Sequence, residues 1–268
     1  MTIRNLTQCA ALAVACSALT AQAGVAPAAA PPPPEPVSLW SGSVTLGYDS
    51  EYIYRGVEIF GNDGRAKDLV TGALDLNYAI NDRLSWNFNA WYGSSASDAD
   101  YNELDLYTRL TFKVNDSFSF GPSFKYYYYP AFDGTNYDEQ FEPGLEFFFT
   151  PCPNTNISLG AFYETESEAF YAELNINYTW KLCEKFSLVP GALVSYVDRD
   201  NSAFAPSSSD FNHAAFYLRA PYTFKPGVTL TPYILLNVPM DGAEDAGDFL
   251  GNDQDEELIG GVAFSVGF

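Results

Sequence analysis

The sequence predicts an all-β fold: a single transmembrane antiparallel up-and-down β-barrel of twelve strands. Three observations carry that expectation. The stretch Gly260 to Phe268 alternates strictly, with Val262, Phe264, Val266 and Phe268 on one parity and Ala263, Ser265 and Gly267 on the other. That is a strand with one greasy face and one tight face. At the edge of an open sheet it would invite aggregation. As the closing strand of a barrel in a bilayer it is paired on both sides.

The second observation is a repeat. Five segments begin alike after a short turn: Leu84-Ser85-Trp86, Phe118-Ser119-Phe120, Ile157-Ser158-Leu159, Phe186-Ser187-Leu188 and Val228-Thr229-Leu230. The strands feeding those turns finish on Tyr78, Phe112, Phe149, Trp180 and Phe224, and the chain itself finishes on Phe268. Each unit is a strand, a longer loop, a returning strand and a short turn.

The third observation is the parity of charge. Mid-strand residues on the face read as outward include Leu46, Leu74, Leu76, Phe88, Leu106, Leu110, Phe124, Leu145, Phe147, Leu159, Leu174, Ile176, Val194, Leu218, Ile234 and Val262. No charged residue falls among them. An Arg or Lys on a lipid-facing wall near the midplane costs about 2–4 kcal/mol. A soluble sandwich would also alternate, but its outward side would be the polar one.

In chain order, residues 1–23 read as a signal peptide. Arg4 supplies the positive start, Cys9 to Leu19 an apolar run too short to span, and Ala21-Gln22-Ala23 a small-x-small cleavage site. Residues 24–38 read as a Pro/Ala-rich periplasmic leader, extended and polyproline-like. Residues 39–268 read as the barrel. The first strand is expected over Trp40 to Arg55, with Tyr52 and Tyr54 outward, and Gly61 to Gly64 as a turn. Strands are expected to start near residues 42, 69, 84, 102, 117, 139, 156, 169, 186, 212, 228 and 257. Pro122, Pro143, Pro190, Pro221, Pro232 and Pro239 fall inside them, where bulges or ladder gaps are expected because Pro lacks the N–H.

Composition bounds the function. Aromatics are 16% of the chain, with 19 Tyr and 21 Phe, as interfacial girdles require. The formal net charge of −21 argues against nucleic acid as a partner and for contact with cations. Membrane lipids and lipopolysaccharide are the expected surroundings, with Phe268 as the contact for outer-membrane assembly machinery. Cleavage would leave Cys152 and Cys183, an even pair in an oxidising compartment. They fall in neighbouring turns, and a disulfide is expected if their Cα atoms come within about 7 Å.

Ser50-Glu51-Tyr52-Ile53-Tyr54-Arg55-Gly56 resembles the opening strand signature of the TorF-type porins. The resemblance implies an outer-membrane barrel with solute diffusion as the activity; no cofactor is expected.

The inward parity carries Asp49, Glu51, Asp75, Glu103, Asp105, Glu142, Glu146, Glu164, Glu166, Glu173 and Glu257, and also Arg55, Arg109, Lys113, Lys125, Lys181 and Arg219. Eleven acids against six bases leave a balance of −5. These charges either line a narrow eyelet or pair into a plug, since twelve strands sit between the filled small barrels and the open porins. Asp49, Glu51, Arg55, Asp75, Asp105, Arg109, Lys125, Glu142, Glu146, Glu173 and Arg219 are the expected pore lining. The expected activity is passive diffusion of small polar solutes or ions, with cations preferred.

Two rival readings stand beside it: a hydrolase barrel and a non-conducting structural barrel. A hydrolase would pair His213, the lone histidine, with Ser207 to Ser209 and Asn212, but no nucleophile motif surrounds them. A loop-proximal histidine meeting water is the simpler expectation. No metal-binding motif is present either. Asp241 to Glu256 is rich in carboxylates without calcium-loop spacing and reads as a solvated acidic loop. In the run Tyr126 to Tyr129, Tyr126 and Tyr128 read as girdle, while Tyr127 and Tyr129 point inward.

Overall fold

Strand β1 (Trp40–Asp49) is hydrogen-bonded on both flanks. It pairs antiparallel with β4 (Leu69–Asn81) on one side and with β16 (Glu257–Gly267) on the other. The register against the last strand sets Leu46 opposite Phe264 and Tyr48 opposite Val262. The greasy face of the terminal strand thus continues the greasy face of the first one, and no edge remains. The computed structural model describes residues 38–58, 68–96, 101–130, 139–200, 206–250 and 254–268. The expected signal peptide, all but the last residue of the expected leader, and the Gly61–Gly64 turn lie outside the described residues.

Between those two strands run β5 (Leu84–Ser95), β6 (Asn102–Lys113), β7 (Phe118–Tyr128), β8 (Glu139–Phe149), β9 (Thr155–Glu164), β10 (Ala169–Tyr178), β12 (Ser187–Arg199), β13 (Ser208–Arg219) and β15 (Val228–Pro239). Each pairs antiparallel with its neighbours, so twelve strands close the wall. Two short segments, β11 (Trp180–Lys181) and β14 (Tyr222–Lys225), prolong the ends of β10 and β13. The termini of the barrel and its short turns share one end, the turn end; the longer connections share the other, the loop end.

The outward belt is apolar, as the parity required. Leu46, Leu110, Phe124, Leu145, Leu159, Leu174, Ile176, Leu218 and Ile234 are all exposed on the outside of the wall. Aromatic side chains ring the turn end. Trp40 tilts against Tyr78 at 4.7 Å, and Phe120 stacks between Phe112 and Phe147 at 5.6 and 6.4 Å. Cross-strand aromatic pairs of this kind contribute about 0.2–1 kcal/mol each.

The prolines sit where the ladders break. The β6–β7 ladder skips from Arg109–Ser123 to Phe112–Phe120, which leaves out Pro122 and Gly121. The β8–β9 ladder stops at Gly144, one residue from Pro143. Pro221 separates β13 from β14, and the β13–β15 ladder ends at Tyr233, beside Pro232. Pro239 closes β15. Pro190 pairs with Leu218 on one side, and on the other the β10–β12 ladder ends at Gly191, beside it.

Three expectations are corrected. The first strand does not run to Arg55. It ends at Asp49, where the Ser50 N–H donates to the Gly260 carbonyl (2.8 Å) and the Gly260 N–H to Ser50 Oγ (2.9 Å). The chain then turns into the lumen as a hairpin, β2 (Ile53–Tyr54) and β3 (Val57–Glu58). Tyr52 and Tyr54 therefore face the lumen, not lipid. The acidic segment begins as a helix, α1 (Asp241–Leu250), and not as a loop. Asp241 and Glu244 sit in its first turn, where negative charge suits the helix dipole. Its Ala243 and Ala246 pack on Val57 of the hairpin. Finally, Cys152 and Cys183 are free and exposed, and the expected disulfide is not formed. Their turns are two strand spacings apart, about 9.6 Å, beyond the reach of a disulfide.

Candidate functional site

Among the described residues the lumen concentrates charge, and its two halves differ. In the loop half the hairpin fills the barrel. Type and position explain why it stays. Arg55 (φ 50°) and Gly56 (φ +86°) form a left-handed turn that exposes two carbonyls. Asn212 Nδ2 donates to the Arg55 carbonyl, and Asn237 Nδ2 donates to the Gly56 carbonyl at 3.0 Å. Both asparagines are buried, so their amides serve the hairpin rather than solvent.

The Arg55 guanidinium is ion-paired with Glu142 of β8, and it lies over the ring of Tyr171 at 4.1 Å. Lys125 Nζ holds the other Glu142 oxygen at 2.8 Å and lies over the Phe162 ring at 3.6 Å. Glu142 is wholly buried. One carboxylate thus neutralises two cations and receives a phenol from Tyr127 at 3.4 Å. An ion so deep is tolerated only when its lone pairs are satisfied in this way.

On the neighbouring wall Glu103 is also wholly buried, and Tyr52 and Tyr101 both donate to its Oε2, at 2.6 and 2.7 Å. Asp105, two residues on, shares its face. Glu51, Glu58 and Glu257 bring carboxylate oxygens within 4.8 Å of one another near the loop end. Asp49 accepts from the Tyr233 hydroxyl.

The turn half is open. A cavity of about 310 Å³ is lined by Ser43, Asp75, Asn77, Asn87, Asn89, Tyr107 and Arg109, among others. Its amides form a ladder across β4 and β5: Asn89 donates to Asp75 and Asn87 to Asn77, each at 2.7 Å. Arg109 reaches Glu146 at 3.1 Å and lies over Phe148 at 4.4 Å, while Tyr107 donates to the same carboxylate at 2.6 Å. Glu173 accepts from Tyr171 at 3.4 Å, and exposed Arg219 lies over Tyr217 at 4.6 Å.

Of the expected lining residues, then, Arg55, Lys125 and Glu142 meet in one buried cluster, and Arg109 meets Glu146 in a second. Asp75, Glu173 and Arg219 belong to the open half. Glu51, Asp49 and Asp105 lie around the hairpin. The paired cluster occupies the loop half, and the cavity lies in the turn half.

His213 is buried and does not meet bulk water, contrary to expectation. Its partner is Ser195 of the adjacent strand, with Oγ 2.6 Å from Nδ1, and none of Ser207 to Ser209 bonds to it in the described residues. Asn212 Nδ2 also points at Nδ1, at 3.3 Å, so that nitrogen is the acceptor and Nε2 carries the proton. Ser195 is only 2% exposed. A nucleophile must reach its substrate, and this hydroxyl is sealed under the hairpin. Ser195 and the inward Tyr52 and Tyr54 were not legible in the sequence. The lumen-facing parity of Ser195, directly opposite His213 across β12 and β13, was the signal available.

Wall and lumen together define a porin-like outer-membrane β-barrel fold. No protein-family model matches the chain, and no curated protein matches it. Solved structures do. A KdgM porin aligns over 84% of this chain and 99% of its own, with 11% identity and a TM-score of 0.50. A NanC porin aligns over 84% and 98%, with 10% identity and a TM-score of 0.52. An outer-membrane channel of Pseudomonas putida F1 aligns over 90% and 100%, with 14% identity and a TM-score of 0.51. At such identities the likeness is one of fold.

Proposed function

We propose that this chain is an outer-membrane channel of the TorF type through which small polar solutes or ions diffuse, cations in preference. The turn end faces the periplasm and the loop end the exterior, following export by the signal peptide. The lipid-facing belt meets membrane lipid, and the loop end meets lipopolysaccharide.

One observation carries the cation preference. Among the described residues Arg55 and Lys125 are committed to Glu142, and Arg109 to Glu146. Asp75 and Glu173, in the open half, hold hydrogen bonds but no base among the described residues. Unpaired negative charge in a narrow, low-dielectric passage concentrates cations and opposes anions.

The test is a reversal potential across planar bilayers in a KCl gradient. The expected result is cation selectivity that weakens with salt, as the Debye length falls from about 10 Å at 0.1 M to about 3 Å at 1 M. An anion-selective reversal potential at low salt rejects the reading, and absence of any conductance rejects the channel itself.

A further inference from the structure

Glu103 and Asp105 are two residues apart on β6, so both side chains point into the lumen. Tyr52 and Tyr101 saturate Glu103 Oε2 from one side. Their phenols hold Oε2 and leave Oε1 without a donor, and Asp105 is the next side chain on the same face of the strand. Glu103 is 0% exposed, and neither Glu103 Oε1 nor Asp105 Oδ1 has a hydrogen-bond partner. Two acceptor-only oxygens buried on neighbouring carboxylates have each lost their hydration, and the two charges repel. Something positive has to sit between them.

The nearby base does not fill that role, since Lys125 is held by Glu142 and by the Phe162 ring. Two carboxylates offer two negative charges and oxygen ligands alone, with the Tyr52 and Tyr101 hydroxyls at the rim. That donor set suits a hard divalent cation rather than a thiophilic or imidazole-seeking one. Asp105 is half-buried, so the pair is not wholly sealed from the lumen.

We propose that a hard divalent cation of the Ca²⁺ class binds between Glu103 Oε1 and Asp105 Oδ1. The inference deepens the cation-channel reading by giving it a binding step, and binding can be measured without any conduction.

The full folded chain in detergent micelles is titrated with Tb³⁺, an oxygen-seeking probe for Ca²⁺ sites. Excitation is in the tyrosine and tryptophan band. Tyr52 touches the site, and Trp91 stacks on Tyr52 at 6.3 Å, so bound Tb³⁺ is sensitised. The expected result is a saturable emission that Ca²⁺ displaces and that is lost in both Glu103→Gln and Asp105→Asn. The exposed turn variant Asp116→Asn keeps it. Heat-modifiable gel mobility verifies that each variant is folded, and Asp105→Asn, the less buried change, decides the case if Glu103→Gln does not fold. Emission equal in wild type and Asp105→Asn overturns the proposal and leaves a proton shared by the pair. Emission that Ca²⁺ does not displace overturns it as well. A barrel that binds but does not conduct rejects only the channel reading, and one that conducts without the emission rejects only this site.

Discussion

Arg55, carried into the lumen on the β2–β3 hairpin, is ion-paired with the wholly buried Glu142 of the barrel wall. The same carboxylate holds Lys125. Removing one member leaves uncompensated charge, which costs about 3–5 kcal/mol for a buried pair. Glu142→Gln strands two cations, whereas Arg55→Gln leaves Glu142 with Lys125. Urea unfolding of the barrel in vesicles is therefore expected to show a larger loss for Glu142→Gln than for Arg55→Gln. Equal losses would mean that Lys125 carries no share of the carboxylate.

The hairpin turn depends on Gly56. A Cβ there would lie 2.5 Å from His213 Cβ, and φ is +86°. An L-residue in that conformation costs about 1–2 kcal/mol before any clash. Gly56→Ala is expected to lift the hairpin off β13. Single-channel conductance should rise, and protease should cut near the turn in variant barrels but not in wild type.

The wall distinguishes neighbouring residues sharply. Leu174 is exposed on the outside of β10 and faces Leu159 and Val194 across its two ladders. Leu174→Arg is expected to destabilise the barrel in lipid by about 2–4 kcal/mol. Glu173→Gln, one residue away on the lumen side, should change stability far less. Unfolding free energies in vesicles measure both, and a mild Leu174→Arg would place that face away from hydrocarbon.

Asp75 is exposed in the open half and forms no ion pair among the described residues. Asp75→Asn keeps its shape and removes its charge. The cation preference in a KCl gradient is expected to fall, most visibly at low salt, where the Debye length is about 10 Å at 0.1 M. An unchanged reversal potential would move the selecting charge to the Glu103–Asp105 pair.

Cys152 and Cys183 are both exposed, and Cys152 Sγ donates to Thr155 Oγ1 at 3.2 Å. Alkylation of unreduced barrel isolated from membranes is expected to add two labels by mass. A protein that takes up label only after reduction would restore the disulfide.

The wall of this protein was legible in its sequence because a β-strand has period two. Alternation alone separates the Leu174 face from the Glu173 face, and short turns with aromatic ends mark each hairpin. Even the prolines announced where ladders would stop, since a missing N–H is a local fact. What the sequence could not decide is which segments leave the wall. Ile53 and Tyr54 alternate as a strand should, yet they turn inward, because Asn212 and Asn237, more than 150 residues away, present buried amides to the hairpin carbonyls. The acidic connection is helical at Asp241–Leu250, with Ala243 and Ala246 packed against Val57. The pairing of Glu142 with two bases and of Ser195 with His213 likewise depends on strand register around a closed ring. Parity tells which face a side chain takes; only closure of the barrel decides which other face it meets.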